Sequence, residues 1–134
     1  MHRDIKPANI FLSKDTKKCK IGDMNVSKIV KNCFTSTQIG TPYYLPPEMW
    51  QKKDYDMKCD IFSLGCLVYE LATLKHPFEA TSANELSRKV TKKKTPDIPI
   101  FYSQELNLII KKCLTKNPDN RPSAEDLFSN NIFR

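Results

Sequence analysis

Glycine is scarce in this 134-residue chain, which has only three, and the nine prolines are dispersed. That composition excludes a low-complexity or collagen-like chain, and no internal repeat is present. There is no paired-cysteine spacing either. Cys19, Cys33, Cys59, Cys66 and Cys113 are scattered, with no C-x-x-C among them. An odd count without a secretory signal argues against a disulfide frame or a zinc site and points to reduced thiols inside the cell, in cytoplasm or nucleus. Long apolar runs are missing as well. The longest, residues 61–74, contains Ser63 and Glu70 and is too short to span a bilayer.

What is present is a composition 40% hydrophobic, enough for the core of one domain over 1–134, with helix-type patterns dominating after the first forty-odd residues. The formal charge is +7, with lysine runs at 92–94 and 52–53. Phosphate-rich nucleic acid attracts such runs. These lysines are not interleaved with aromatics, so a solvated basic face is the better reading and nucleic acid is not favoured as a partner.

The chain opens on His2-Arg3-Asp4-Ile5-Lys6-Pro7-Ala8-Asn9, a polar loop carrying a carboxylate, a lysine and a carboxamide in one short run. Such a loop can aim several groups at one point, as phosphoryl transfer requires. Ile10-Phe11-Leu12 and Cys19-Lys20-Ile21 are β-prone runs that predict a small hairpin, which would set this loop beside the Asp23 segment. Residues 23–44 have no sustained periodicity and read as a long loop, of a length that in a compact domain is usually functional or mobile.

Pro46-Pro47-Glu48 leads into a helical turn at Met49-Trp50. Residues 59–73 are apolar on nearly every side, Leu71 included, which predicts a helix buried in the middle of the domain. Asp60, a lone carboxylate at its start, then needs partners. Ser82-x-x-Glu85 has the form of a capping box and predicts a helix over 83–92. Ser103 is the expected cap of a helix with the stripe Leu106, Ile109, Ile110, Cys113 and Leu114, and Asn117-Pro118 ends it. Ser123 with Asp126 starts a last helix. The expected fold class is mainly α with one hairpin near the amino end.

Separated motifs agree in type and order. His2-Arg3-Asp4 to Asn9 has the H-R-D-x-x-x-x-N spacing, and Asp23-Met24-Asn25 stands where Asp-Phe-Gly would. Gly40-Thr41-Pro42-Tyr43-Tyr44 and Pro46-Pro47-Glu48 follow, then Asp60-Ile61-Phe62-Ser63-Leu64-Gly65, and finally Asn117-Pro118 to Arg121-Pro122. On these motifs the chain resembles, end to end, the carboxyl-terminal lobe of a eukaryotic serine/threonine protein kinase. The segments 20–28 and 40–44 make it most similar to the never-in-mitosis-related (NIMA-related) group.

The resemblance implies roles for particular residues. Asp4 resembles the base that orients the substrate hydroxyl, and Lys6 the lysine that approaches the transferred phosphoryl group. Asn9 and Asp23 resemble the Mg2+ ligands beside ATP. Thr41, with Lys6, implies protein substrates with serine or threonine acceptors. Arg3 and Lys28 look like the cationic pocket for a phosphorylated loop, with Thr37 the first candidate for the phosphate and Thr35 and Ser36 behind it. An activating kinase or trans-autophosphorylation would supply that phosphate. Glu48 and Arg121 resemble a buried structural ion pair, and Asp60 the residue that accepts from the catalytic-loop backbone. His2 is expected to pack under the metal-binding loop, and His76, with no motif around it, to be a surface histidine.

Met24-Asn25 departs from Phe-Gly while keeping the Asp23 ligand. The resemblance also implies a partial domain. The amino-terminal lobe, with its Gly-rich loop and nucleotide-pairing lysine, is expected elsewhere in a longer protein, and the 134-residue chain alone is expected to have little or no phosphotransferase activity. The alternative function is a truncated kinase lobe that binds a partner protein without chemistry.

Overall fold

A computed structural model describes residues 1–15, 18–22 and 42–130. Within them the fold is mainly helical, with one small antiparallel hairpin near the amino end. The hairpin joins β1 (Ile10–Leu12) to β2 (Cys19–Ile21) in the register Ile10 to Ile21 and Leu12 to Cys19. Just before it, Pro7–Asn9 forms a single 3₁₀ turn. Gly22 follows β2 at a point where a Cβ would lie 2.4 Å from the Phe11 ring, so a side chain there would have to displace that exposed ring.

The helices are α1 (Pro47–Trp50), α2 (Lys58–Thr73), α3 (Ala83–Lys92), α4 (Gln104–Cys113) and α5 (Ala124–Phe128). Helix α2 is the axis of the domain. Phe62, Cys66 and Tyr69 join Trp50, Phe78, Leu86, Val90, Ile98, Ile110 and Leu114 in the main core. Its other side, through Ile61, meets Ile109, Cys113 and Leu127. Gly65 sits where α2 crosses α4. A Cβ there would come within 2.8 Å of the Cys113 Cβ and 3.0 Å of Leu114 Cγ, so the absent side chain sets the interaxial distance.

Two expectations are corrected in detail. Leu71 is 67% exposed, so α2 is buried along most of its length but not at its carboxyl end. There the chain turns through Leu74 in the left-handed region (φ 58°), with the Leu74 amide donating to Glu70 O, and Leu74 also faces solvent. The cap of α3 is half a capping box. Ser82 Oγ accepts from the Glu85 amide, but the Glu85 carboxylate reaches back to Thr81 N and Oγ1 and also pairs with Lys89. At α5 the reciprocal box between Ser123 and Asp126 is complete.

Candidate active site

The polar loop before β1 is organised from α2, far along the chain. Asp60 lies in the first turn of α2, where the helix dipole favours a carboxylate. Its Oδ2 accepts from the His2 amide at 2.6 Å and its Oδ1 from the Arg3 amide at 2.7 Å. Two bonds to a charged acceptor hold Arg3 at φ 71°, a conformation that a non-glycine residue adopts only when its surroundings impose it. Asp60 is thus half-buried and paired, which answers the burial problem its position raised.

His2 ties the loop to the end of the hairpin, with Nε2 2.9 Å from Gly22 O, while its Nδ1 accepts from the Asp4 amide at 3.3 Å. The Gly22 amide in turn donates to Asn9 O at 2.9 Å. The loop, the 3₁₀ turn and the outgoing strand are therefore one hydrogen-bonded unit.

That unit brings three predicted residues together. Asp4 Oδ2 is 2.8 Å from Lys6 Nζ, both side chains about two-fifths exposed. Asn9, buried at 6% exposure, donates from Nδ2 to Asp4 O at 2.7 Å and to Asp4 Oδ2 at 3.1 Å. Its amide nitrogen is thereby committed, and its Oδ1 carries no hydrogen bond among the described residues. A neutral oxygen held in a fixed direction beside a carboxylate suits a hard cation such as Mg2+. The Arg3 side chain is exposed, with its guanidinium carbon 6.0 Å from the Tyr55 ring centroid. Asp23, Lys28, Thr37 and Thr41, together with Thr35, Ser36 and the Met24-Asn25 pair, lie outside the described residues.

Glu48 and Arg121 meet as expected, 73 positions apart in sequence, in a bidentate pair at 2.6 and 2.7 Å. Every guanidinium hydrogen finds an acceptor. Nε donates to Thr115 O, and the remaining Nη hydrogens go to Lys58 O and Lys116 O. The pair locks α1 to the start of α2 and to the turn before α5.

Two features were not legible in the sequence. His76 is no surface histidine. It stacks on Tyr43 (centroids 4.0 Å apart, planes at 10°), meets Tyr44 edge-on, and brings Nδ1 to 3.7 Å from Glu70 Oε2. Lys116 buries its Nζ 4.0 Å above the Phe78 ring, with no hydrogen-bond partner among the described residues. Burial pulls its pKa down to about 8, with the Arg121 charge acting the same way. Neither residue belongs to a local pattern, because the groups that surround it come from distant segments.

The geometry can be set beside known proteins. The protein kinase domain model matches residues 1–133. The chain is 44% identical to human serine/threonine-protein kinase Nek2 over 99% of its length, covering 30% of that protein. It is 43% identical to mouse serine/threonine-protein kinase Nek3 over 95% of its length, covering 25% of that protein. With the G2-specific protein kinase nim-1 of Neurospora crassa the identity is 42% over the whole chain, covering 16% of the relative. This chain belongs to the protein kinase family, and Nek and NIMA-type kinases are its relatives. It spans less than a third of the length of the curated relatives it matches.

Proposed function

We propose that residues 1–134 form the carboxyl-terminal part of a serine/threonine protein kinase domain, running from the catalytic loop to the last helix of the lobe. The reaction is transfer of the ATP γ-phosphoryl group to a serine or threonine hydroxyl of a protein. The observation that carries this reading is the convergence of Asp4, Lys6 and Asn9 on a loop held by Asp60. Asp4 Oδ2, already an acceptor for Lys6 and Asn9, would orient the acceptor hydroxyl and take its proton. Lys6, exposed beside it, would meet the transferred phosphoryl oxygens.

Asn9 Oδ1 and the Asp23 carboxylate would hold Mg2+ with ATP, and the metal, when bound, neutralises charge on the phosphates. Thr41 would favour serine or threonine acceptors, placing the segment that follows it alongside the acceptor peptide. Arg3 and Lys28 would pair with a phosphate on Thr37, placed there by an activating kinase or by trans-autophosphorylation. An intracellular setting, cytoplasmic or nuclear, accords with the free thiols of Cys19, Cys59, Cys66 and Cys113.

A second reading is a non-catalytic module that binds a partner protein. Phe11, Leu12 and Ile21, exposed at 58%, 74% and 52% on the hairpin, favour it. On the first reading the 134-residue chain by itself has little or no activity, so the test uses the intact protein. It is incubated with radiolabelled ATP, Mg2+ and a mixed Ser/Thr/Tyr peptide set, and the labelled residue is identified. Mg2+-dependent label on serine or threonine is expected. Neither Mg-ATP binding nor transfer by the intact protein would favour the binding module instead.

A further inference from the structure

The described residues that follow Thr41 begin with a turn at 42–45, closed by the Leu45 amide donating to Pro42 O at 3.2 Å. Tyr44 is clamped to α2 at two points. Its phenol donates to Glu70 Oε2 at 2.5 Å, and its carbonyl accepts from Ser63 Oγ at 2.9 Å. Tyr43 makes no such bond among the described residues; its ring lies flat on His76. His76 itself has little freedom. Thr73 Oγ1 both donates to Lys75 O and accepts from the Lys75 amide just before it, and Pro77 and Phe78, directly after it, are buried. Its ring is held by its own segment as a wall against which the turn packs, with one nitrogen toward Glu70.

We propose that His76 is a positioning residue for the protein substrate: its ring fixes the 42–45 turn through Tyr43, and so the surface along which the acceptor peptide lies. This rests on the kinase reading above. It assigns to His76 no contact with ATP or with the reacting atoms. Loss of the ring should therefore weaken use of the peptide and leave use of the nucleotide alone.

The test is steady-state kinetics of the intact protein with a serine- or threonine-containing peptide, alongside amide hydrogen exchange at Leu45. His76→Ala should raise the peptide KM by about tenfold and leave the ATP KM unchanged, since misplacing a docking surface costs binding geometry rather than chemistry. His76→Phe keeps the flat stack and should restore the peptide KM to within about twofold of the wild type. Exchange at Leu45 should quicken in His76→Ala and return in His76→Phe. The proposal is overturned if His76→Ala leaves the peptide KM unmoved, if both KM values rise together, or if His76→Phe is as impaired as His76→Ala. Should the wild-type protein transfer no phosphoryl group, the kinase reading fails and this substrate role with it. Exchange at Leu45 then still reports whether His76 holds the turn.

Discussion

Two carboxylate–cation pairs in this molecule have nearly the same contact distance and opposite characters. Glu48–Arg121 is bidentate and sealed, its side chains 4% and 0% exposed, with three backbone carbonyls taking up the rest of the guanidinium. Asp4–Lys6 is a single contact at 2.8 Å, with side chains 40% and 38% exposed. The first pair is sealed from solvent with every guanidinium hydrogen taken, and can only hold elements together. The second is about two-fifths open to solvent on both sides, so it contributes little to stability and can be reached by a reactant. Between them stands Asp60, which is structural by its bonds and serves the open site by holding the loop.

The comparison breaks most visibly at Arg121. Arg121→Met strands Glu48 in a dry site, and urea unfolding of the intact protein should show a loss of about 3–5 kcal/mol. Adding Glu48→Leu should recover most of that loss, because the penalty lies in the orphaned charge rather than in the pair as such. A double variant as unstable as the single one would mean that the carbonyl contacts of Arg121 matter more than its partner.

Asp60→Ala comes next. It removes the acceptor of two backbone amides and releases Arg3 from its left-handed conformation, for an expected loss of about 2–3 kcal/mol. Amide exchange at His2 and Arg3 should speed up more than exchange in α3 or α4. Uniform acceleration across the domain would show that Asp60 supports the whole fold instead of the loop.

Lys116 sharpens the contrast, being a cation whose Nζ is buried with no carboxylate partner among the described residues. Its pKa of about 8 lies below the ordinary lysine value of 10.5 because folding buries the charge. The folded state therefore gives up this proton more readily than the unfolded one. The burial penalty is complete below pH 8 and is relieved as pH rises toward 10.5. Lys116→Met should thus be the more stable protein at pH 7, by about 1 kcal/mol, with the gap narrowing between pH 8 and 10.5. Comparing the two proteins at each pH cancels the opposing effect of Cys59 and Cys113. Their thiols are pushed up by burial to about 12 and about 11, so their contribution is lost at alkaline pH. A gap that widens with pH would contradict the burial account.

Much of this arrangement could be read before any coordinates. Both strands fell at the expected residues, and the serines at 82, 103 and 123 cap helices, because cap chemistry is local and written in three or four consecutive positions. The partnership of Glu48 with Arg121 and the bonds of Asp60 were reached through the resemblance, since nothing local relates positions 73 or 58 residues apart. What stayed hidden is of one kind. The shift of Glu85 from Ser82 to Thr81, the exposure of Leu71 and the enclosure of His76 and Lys116 all depend on which neighbouring segment arrives at a given face. A pattern along one helix does not carry that information.

The most direct measurement is Asp4→Asn in the intact protein, with urea unfolding and phosphoryl transfer followed on the same preparation. Removing one charge from an exposed pair should move stability by less than about 0.5 kcal/mol. Transfer to serine or threonine should fall by about 10²–10⁴. Unchanged transfer, or a loss of stability comparable to that of Arg121→Met, would contradict the assignment of Asp4 to chemistry rather than to structure.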